Sequence, residues 1–382
     1  MSHSPSNHLR LAIYLVVLSF LLCHCSLRNK VDENPSLTQK EQLGKFLFFE
    51  EGLSTPEGQS CATCHDPDVG FADPLNELPV SRGAVHGLYG NRNDMPVSYS
   101  MYVPPLHYDS AEQVWVGGLF WDGRANSLTE QAMGPPLNPL EMANPDTAAI
   151  ADKIRRLDYS DRFGEIYGEN ALNDPDSAFF YMADALAAYE RSAEVNPFSS
   201  KFDLWQRGES ALTEQEQRGF MLFVVESKGN CAACHPHTPL EDGTPAMFTD
   251  FTYDNLGVPP NAESPFYLLS SDHNPEGFNY RDPGLAETLS DLAELGKFRV
   301  PTLRNVAITP PYLHNGIFKT LYQVVAFYNT RDVAPWPEPE TSANINVDEM
   351  GNLGLTNQEV EDIVAFLKTL SDGWHHQEII NP

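Results

Sequence analysis

Two short motifs could do chemistry in this chain, Cys61-Ala-Thr-Cys64-His65 and Cys231-Ala-Ala-Cys234-His235. Two cysteines three apart on a helical turn can form thioethers with the two vinyl groups of a haem, and the adjacent histidine then faces the iron. Both motifs therefore read as sites for covalently bound c-type haem, two in all, with His65 and His235 as iron ligands. The rival reading is zinc, because two Cys-x-x-Cys pairs also suit a tetrahedral site. A histidine directly after each pair counts against zinc, as does the export signal described below.

The elements that must position these motifs repeat. Leu37-Thr-Gln-Lys-Glu-Gln-Leu-Gly-Lys-Phe-Leu-Phe precedes Cys61, and Leu212-Thr-Glu-Gln-Glu-Gln-Arg-Gly-Phe-Met-Leu-Phe precedes Cys231. Each copy opens with Thr-x-x-Glu (Thr38 with Glu41, Thr213 with Glu216), in which the threonine caps a helix and the glutamate reaches back. Thr356 with Glu359 starts a third helix, whose apolar residues Val360, Ile363, Val364 and Leu367 share one face. Phe179 to Ala193 is its counterpart in the first half. Duplication of one helical unit accounts for the pattern. Residues 66 to 118 and 236 to 300 are thick with proline, glycine and asparagine and read as long functional loops. The boundary between two units falls near residues 196 to 210.

The chain has 382 residues, enough for two domains, and a net charge of −29. Such acidity excludes nucleic acid as a partner and would steer a cationic one. After a polar start ending in Arg10, Leu11 to Leu22 run apolar except for Ser19, which reads as an export signal over residues 1–25. The expected location is the periplasm or beyond, with Cys23 and Cys25 as possible lipid acceptors in a lipoprotein. The remaining four cysteines all lie in the two motifs, leaving none for a disulfide framework.

The segments Leu119-Phe-Trp-Asp-Gly-Arg-Ala125, Glu130-Gln131-Ala, Gly134-Pro-Pro-Leu-Asn-Pro-Leu-Glu141-Met142 and Val300-Pro-Thr-Leu-Arg-Asn-Val-Ala-Ile-Thr-Pro-Pro-Tyr-Leu-His-Asn-Gly316 resemble the bacterial diheme cytochrome c peroxidases. The resemblance spans roughly residues 35 to 372. It implies an all-α fold of two class I cytochrome c-like domains with long irregular loops, residues 35–200 with the peroxidatic haem and 205–375 with the electron-transfer haem. Hydrogen peroxide would be reduced at the first haem with electrons from a small donor protein such as a monohaem cytochrome c. A homodimer is a further possibility.

Peroxide cleavage needs a group that takes a proton from one oxygen and delivers it to the departing one. The resemblance assigns that role to Glu141, with Gln131 placing the peroxide and Trp121 carrying electrons between the haems. Classical members hold the second haem with a methionine fourteen residues after the histidine of Pro-Tyr-x-His. Counting fourteen from His314 arrives at Tyr328, which resembles the MauG-type branch, whose second haem is held by His and Tyr. Read from the residues alone, Tyr328 shares an apolar helical face with Leu321, Val324 and Val325. Asn93, Thr309 and Pro311 match the positions that hold a calcium ion in the family, and an amide with backbone carbonyls suits that ion. His86 stands near the place of a distal histidine that blocks the first iron in classical members, but one residue closer to Gly90 and Arg92. The insertion from Val97 to Gly118 again resembles the MauG-type branch, in which the first haem is open from the start. The alternatives are a MauG-type oxidase acting on residues of a partner protein and a plain diheme electron carrier.

Overall fold

The structure, a computed structural model, describes residues 36–75 and 77–374. The expected export segment lies outside the described residues. Among the described residues no helix is long and apolar enough to cross a membrane.

Helix α1 (Gln39–Phe48) starts at Thr38, whose hydroxyl accepts from Glu41 N (3.3 Å) while the Glu41 carboxylate accepts from Thr38 N (2.6 Å). The chain continues through α2 (Leu128–Ala132), α3 (Thr147–Arg155), α4 (Pro175–Glu190) and α5 (Lys201–Gln206). It ends with α6 (Glu214–Val224), α7 (Leu321–Thr330) and α8 (Asn357–Lys368). Thr213 with Glu216 and Thr356 with Glu359 close the same reciprocal cap at α6 and α8.

The two repeated helices are packed by the same device. A Cβ on Gly44 would stand 1.9 Å from the Ala185 carbonyl oxygen, and one on Gly219 would stand 1.8 Å from that of Asp362. Only glycine lets α1 lie this close on α4, and α6 on α8. Around the first pair a core forms from Leu43, Leu47, Phe48, Ile150, Phe163, Phe179, Leu186 and Tyr189. Around the second it forms from Phe202, Phe223, Phe248, Val360, Ile363 and Phe366. Within the latter, Phe202 meets Phe248 at 5.0 Å and Phe223 meets Phe366 at 5.1 Å, both edge to face. Deleting one such buried ring typically costs about 3–5 kcal/mol.

One amendment to an all-helical reading is required. The inserted segment folds as a hairpin of β1 (His107–Asp109) and β2 (Val114–Val116), and β3 (Tyr253–Asp254) pairs antiparallel with β4 (Phe298–Arg299). Val114, Trp115 and Val116 suit an extended chain, and Trp115 packs edge to face on Tyr108 across the pair at 5.4 Å. The hairpin is pinned to the second half, where Tyr253 donates its hydroxyl to Gly117 O (2.6 Å) and Gly117 N donates to Phe251 O (3.0 Å). From Leu37 onward the described residues pack as one compact unit.

Candidate haem sites

In each motif the histidine backbone N–H donates to the carbonyl of the first cysteine, His65 to Cys61 and His235 to Cys231, both at 2.9 Å. This single turn carries the two thiols and the imidazole together. Each ring is then anchored from behind. His65 Nδ1 lies 3.2 Å from Phe71 O and His235 Nδ1 lies 2.7 Å from Phe248 O. Phe71 and Phe248 both adopt positive φ, 62° and 53°, which turns these carbonyls toward the rings. With Nδ1 engaged as donor, Nε2 keeps its lone pair for a metal. Burial pushes His65 below the usual histidine range and His235 down to about 4, so both rings are neutral, as iron ligation requires.

Each motif lines its own solvent-open cavity, of about 1330 Å³ at Cys61, Cys64 and His65 and about 1230 Å³ at Cys231, Cys234 and His235. Because the cysteine pairs line different cavities, they cannot join in one four-cysteine zinc site. Burial pushes the Cys61 and Cys231 thiols up to about 12. These features fit a haem in each cavity.

Glu141, Gln131 and Trp121 come together with His65 in the first cavity. Glu141 sits at the end of the turn that begins at Asn138, whose amide donates to Glu141 Oε1 at 2.6 Å. Burial, and secondarily the Asp94 carboxylate, push Glu141 up to about 7, while Arg124 and Asn138 pull against them. Gln131 is carried into the cavity by α2. Trp121 is 8% exposed, donates its indole N–H to Asn93 O (2.8 Å) and borders both cavities.

Tyr328, on α7, lines the second cavity with Cys231, Cys234 and His235, and burial pushes its phenol up. It therefore faces the motif rather than serving only the apolar face of its helix. Met350 lines the same cavity and is buried. Met350 lies far from Tyr328 along the chain, but Gly351 N donates to Tyr328 O (2.6 Å), which folds its loop back onto α7.

Asn93 and Pro311 also meet: the Asn93 amide donates to the carbonyls of Pro311 (2.7 Å) and Leu313 (3.1 Å). Thr309 lies two residues before Pro311 at the end of a 3-10 turn. A cation there would require the amide to turn its oxygen toward the carbonyls. His86 is exposed in a turn closed by Gly83 N to Leu88 O and Leu88 N to Val85 O, and the first cavity is bordered instead by Ser81, Arg82 and Gly90.

Sequence reasoning missed three charged groups in these walls. Asp94 Oδ2 is buried without a hydrogen-bond partner among the described residues, 3.6 Å from His65 Nδ1. Glu190, on α4, is pushed by burial up to about 8. Arg299 borders both cavities. Residue type alone does not separate these from the chain's other charged side chains. Only their burial marks them.

Two thiol-histidine half-sites, each opening on its own cavity and sharing one tryptophan wall, define a diheme c-type redox protein. The chain belongs to the di-haem cytochrome c peroxidase family, whose model matches residues 38–211. It is an oxidoreductase of this cytochrome-c peroxidase-like class. The methylamine utilization protein MauG of Paracoccus denitrificans is 40% identical over 348 residues, covering 86% of this chain and 88% of that protein. Cytochrome-c peroxidase IdrP1 of Denitromonas iodatirespirans is 33% identical over 355 residues, covering 89% and 83%. The crystal structure of the diheme peroxidase BthA from Burkholderia thailandensis matches with a TM-score of 0.76 at 35% identity, covering 90% of each chain.

Proposed function

We propose that the chain reduces hydrogen peroxide in the first cavity with electrons delivered at the second by a small redox protein. Haem c would supply the redox-active iron, the macrocycle attached through Cys61 and Cys64 with His65 as iron ligand in one cavity, and through Cys231 and Cys234 with His235 as iron ligand in the other. The observation that carries the reading is Glu141, a half-buried carboxyl held up to about 7 in the cavity of His65. A group that binds and releases a proton near neutrality can take one from one end of a peroxide and return it to the other. Gln131 offers an amide that accepts from and donates to the same substrate. Trp121, bordering both cavities, is the side chain through which they communicate. The net charge of −29 favours a cationic electron donor. Asn93, with the carbonyls of Thr309 and Pro311, would hold a calcium ion between these segments, and export would place the protein in the periplasm.

The test is peroxide consumption with reduced cytochrome c as donor, across pH. The ionised form of Glu141 takes the first proton, so the rate should rise with pH through about 7 and level off above it. A preparation with two haems per chain and no peroxide turnover would reject the reading.

A MauG-type oxidase acting on residues of a partner protein is the second reading, favoured by Tyr328 in the second cavity and by the 40% identity to MauG. A phenolate is a hard anionic donor that stabilises ferric and higher states, whereas a thioether favours ferrous iron. His/Tyr ligation would let the second site share oxidising equivalents with the first.

A further inference from the structure

Arg299 is a buried cation without an anion among the described residues. Its residue is 5% exposed, and among the described residues no carboxylate pairs with it. Its contacts are weak for a guanidinium: Nε donates to Phe120 O at 3.3 Å and Nη2 to Met95 Sδ at 3.6 Å. The other deeply buried arginines are fully matched. Arg92 is held by Asp122 and by both oxygens of Asp282, and Arg304 by both oxygens of Asp203 at 3.0 Å. Leaving a buried charge unpaired is strongly destabilising. Burial accordingly pulls Arg299 down to about 10.

Its side chain reaches Phe120 and Met95 of the first cavity's wall, while the residue also lines the second. Arg299 borders both cavities, its backbone N–H donates to Trp121 O (2.9 Å), and β4 fixes it against Tyr253. Asp254, Asp282, Glu340 and Glu349 line the second cavity, and Arg299 is the one lysine or arginine among its lining residues. Asp282 is already matched by Arg92, and Glu340 by His314 and Asn315. A haem brings two propionates of its own into this acidic wall, and a planar guanidinium is the side chain that binds a carboxylate through two parallel N–H donors.

We propose that Arg299 binds a propionate carboxylate of the second haem where the two cavities meet, and that its charge holds up the reduction potential of that haem. The proposal rests on the haem reading of Cys231, Cys234 and His235. Arg299 is a positioning residue: it orients the macrocycle beside Trp121 and biases its redox equilibrium. A positive charge near the iron favours the ferrous state, so removing it favours the ferric state and lowers the potential.

The test starts from haem content per chain, measured by the alkaline pyridine spectrum. Fewer than two haems in the parent protein would reject the haem reading itself. With two present, redox titration of Arg299→Gln should show the reduction equilibrium of the second haem shifted at least tenfold toward ferric, about 59 mV for one electron. Arg299→Lys should recover most of that shift. Potentials within twofold of the parent in both variants, with both haems retained, would overturn the proposal and leave Arg299 a packing residue. Should Arg299→Gln fail to hold haem, the resonance Raman propionate bands of Arg299→Lys decide. A band of the second haem displaced from the parent supports the contact, and an undisplaced one overturns it.

Discussion

The two haem cavities begin alike and end differently. Both present two thiols and a histidine on one turn, with Nδ1 anchored to the carbonyl of a phenylalanine in positive φ. The first then adds groups that hold protons near neutrality, half-buried Glu141 and buried Glu190, together with the amide of Gln131. The second adds Tyr328 and Met350, side chains able to occupy an iron's remaining position. Duplication supplied two equal half-sites, and the loops opposite them divided the labour. On the proposed reading, the first cavity would move protons to a substrate and the second would close over its iron and pass electrons.

The largest effect expected from breaking this contrast is at Glu141. Glu141→Gln keeps the shape and the Asn138 contact but cannot take a proton, so turnover should fall by about 10²–10⁴ while two haems remain bound. A variant retaining most of its peroxidase rate would show that the proton passes elsewhere.

Next come the glycines that make the halves equal. Gly44→Ala and Gly219→Ala each drive a methyl into a carbonyl oxygen, 1.9 and 1.8 Å away before any relaxation. Each should cost on the order of 1–3 kcal/mol or more in stability, read by denaturant unfolding. Gly44→Ala should loosen the first haem and Gly219→Ala the second; equal loss of both haems from either variant would deny the halves separate cores.

Tyr328 sharpens the comparison from the other side. Tyr328→Met should convert a His/Tyr low-spin signal into a His/Met one and raise the potential of the second haem, with the near-infrared sulfur-to-iron band appearing. If the parent already shows that band and Met350→Leu removes it, Met350 is the ligand and Tyr328 only packs against it.

Acid-base behaviour gives a smaller, global effect. Glu141 and Glu190 are raised from 4.5 to about 7 and about 8. Between those limits the folded chain binds more protons than the unfolded one, so this stability is fully present below about 4.5 and is lost as pH rises through about 7 and 8. Thermal melts should show Tm falling over that window, and Glu190→Gln should flatten the upper part. A Tm that climbs instead would mean that neither carboxyl stays buried and protonated. The least effect is expected at His86, exposed beside the first cavity: His86→Gly should leave the ferric spectrum and the first turnover with peroxide unchanged.

Much of this was legible along the chain because it is local. Cys-x-x-Cys-His is a contiguous turn, the Thr-x-x-Glu caps lie within one helical turn of their partners, and a twelve-residue repeat announces two related units. Glu141, Gln131, Trp121 and Tyr328 were found through family resemblance in contiguous segments, and they line the cavities expected of them. What the sequence could not decide depends on which distant residues become neighbours and lose water. The pairing of Asn93 with Pro311, the return of Met350 to α7 and the isolation of Arg299 from the carboxylates of the described residues all depend on positions far apart in the chain. The same holds for burial: a glutamate reads the same at position 141, 190 or 349, and only the packed walls around it raise the cost of its charge. The sequence by itself determined two haem-binding half-sites on duplicated helices. Which cavity gathers Glu141 and Glu190 and which gathers Tyr328 and Met350 depends on the packed fold, because that difference is made by desolvation and long-range contact.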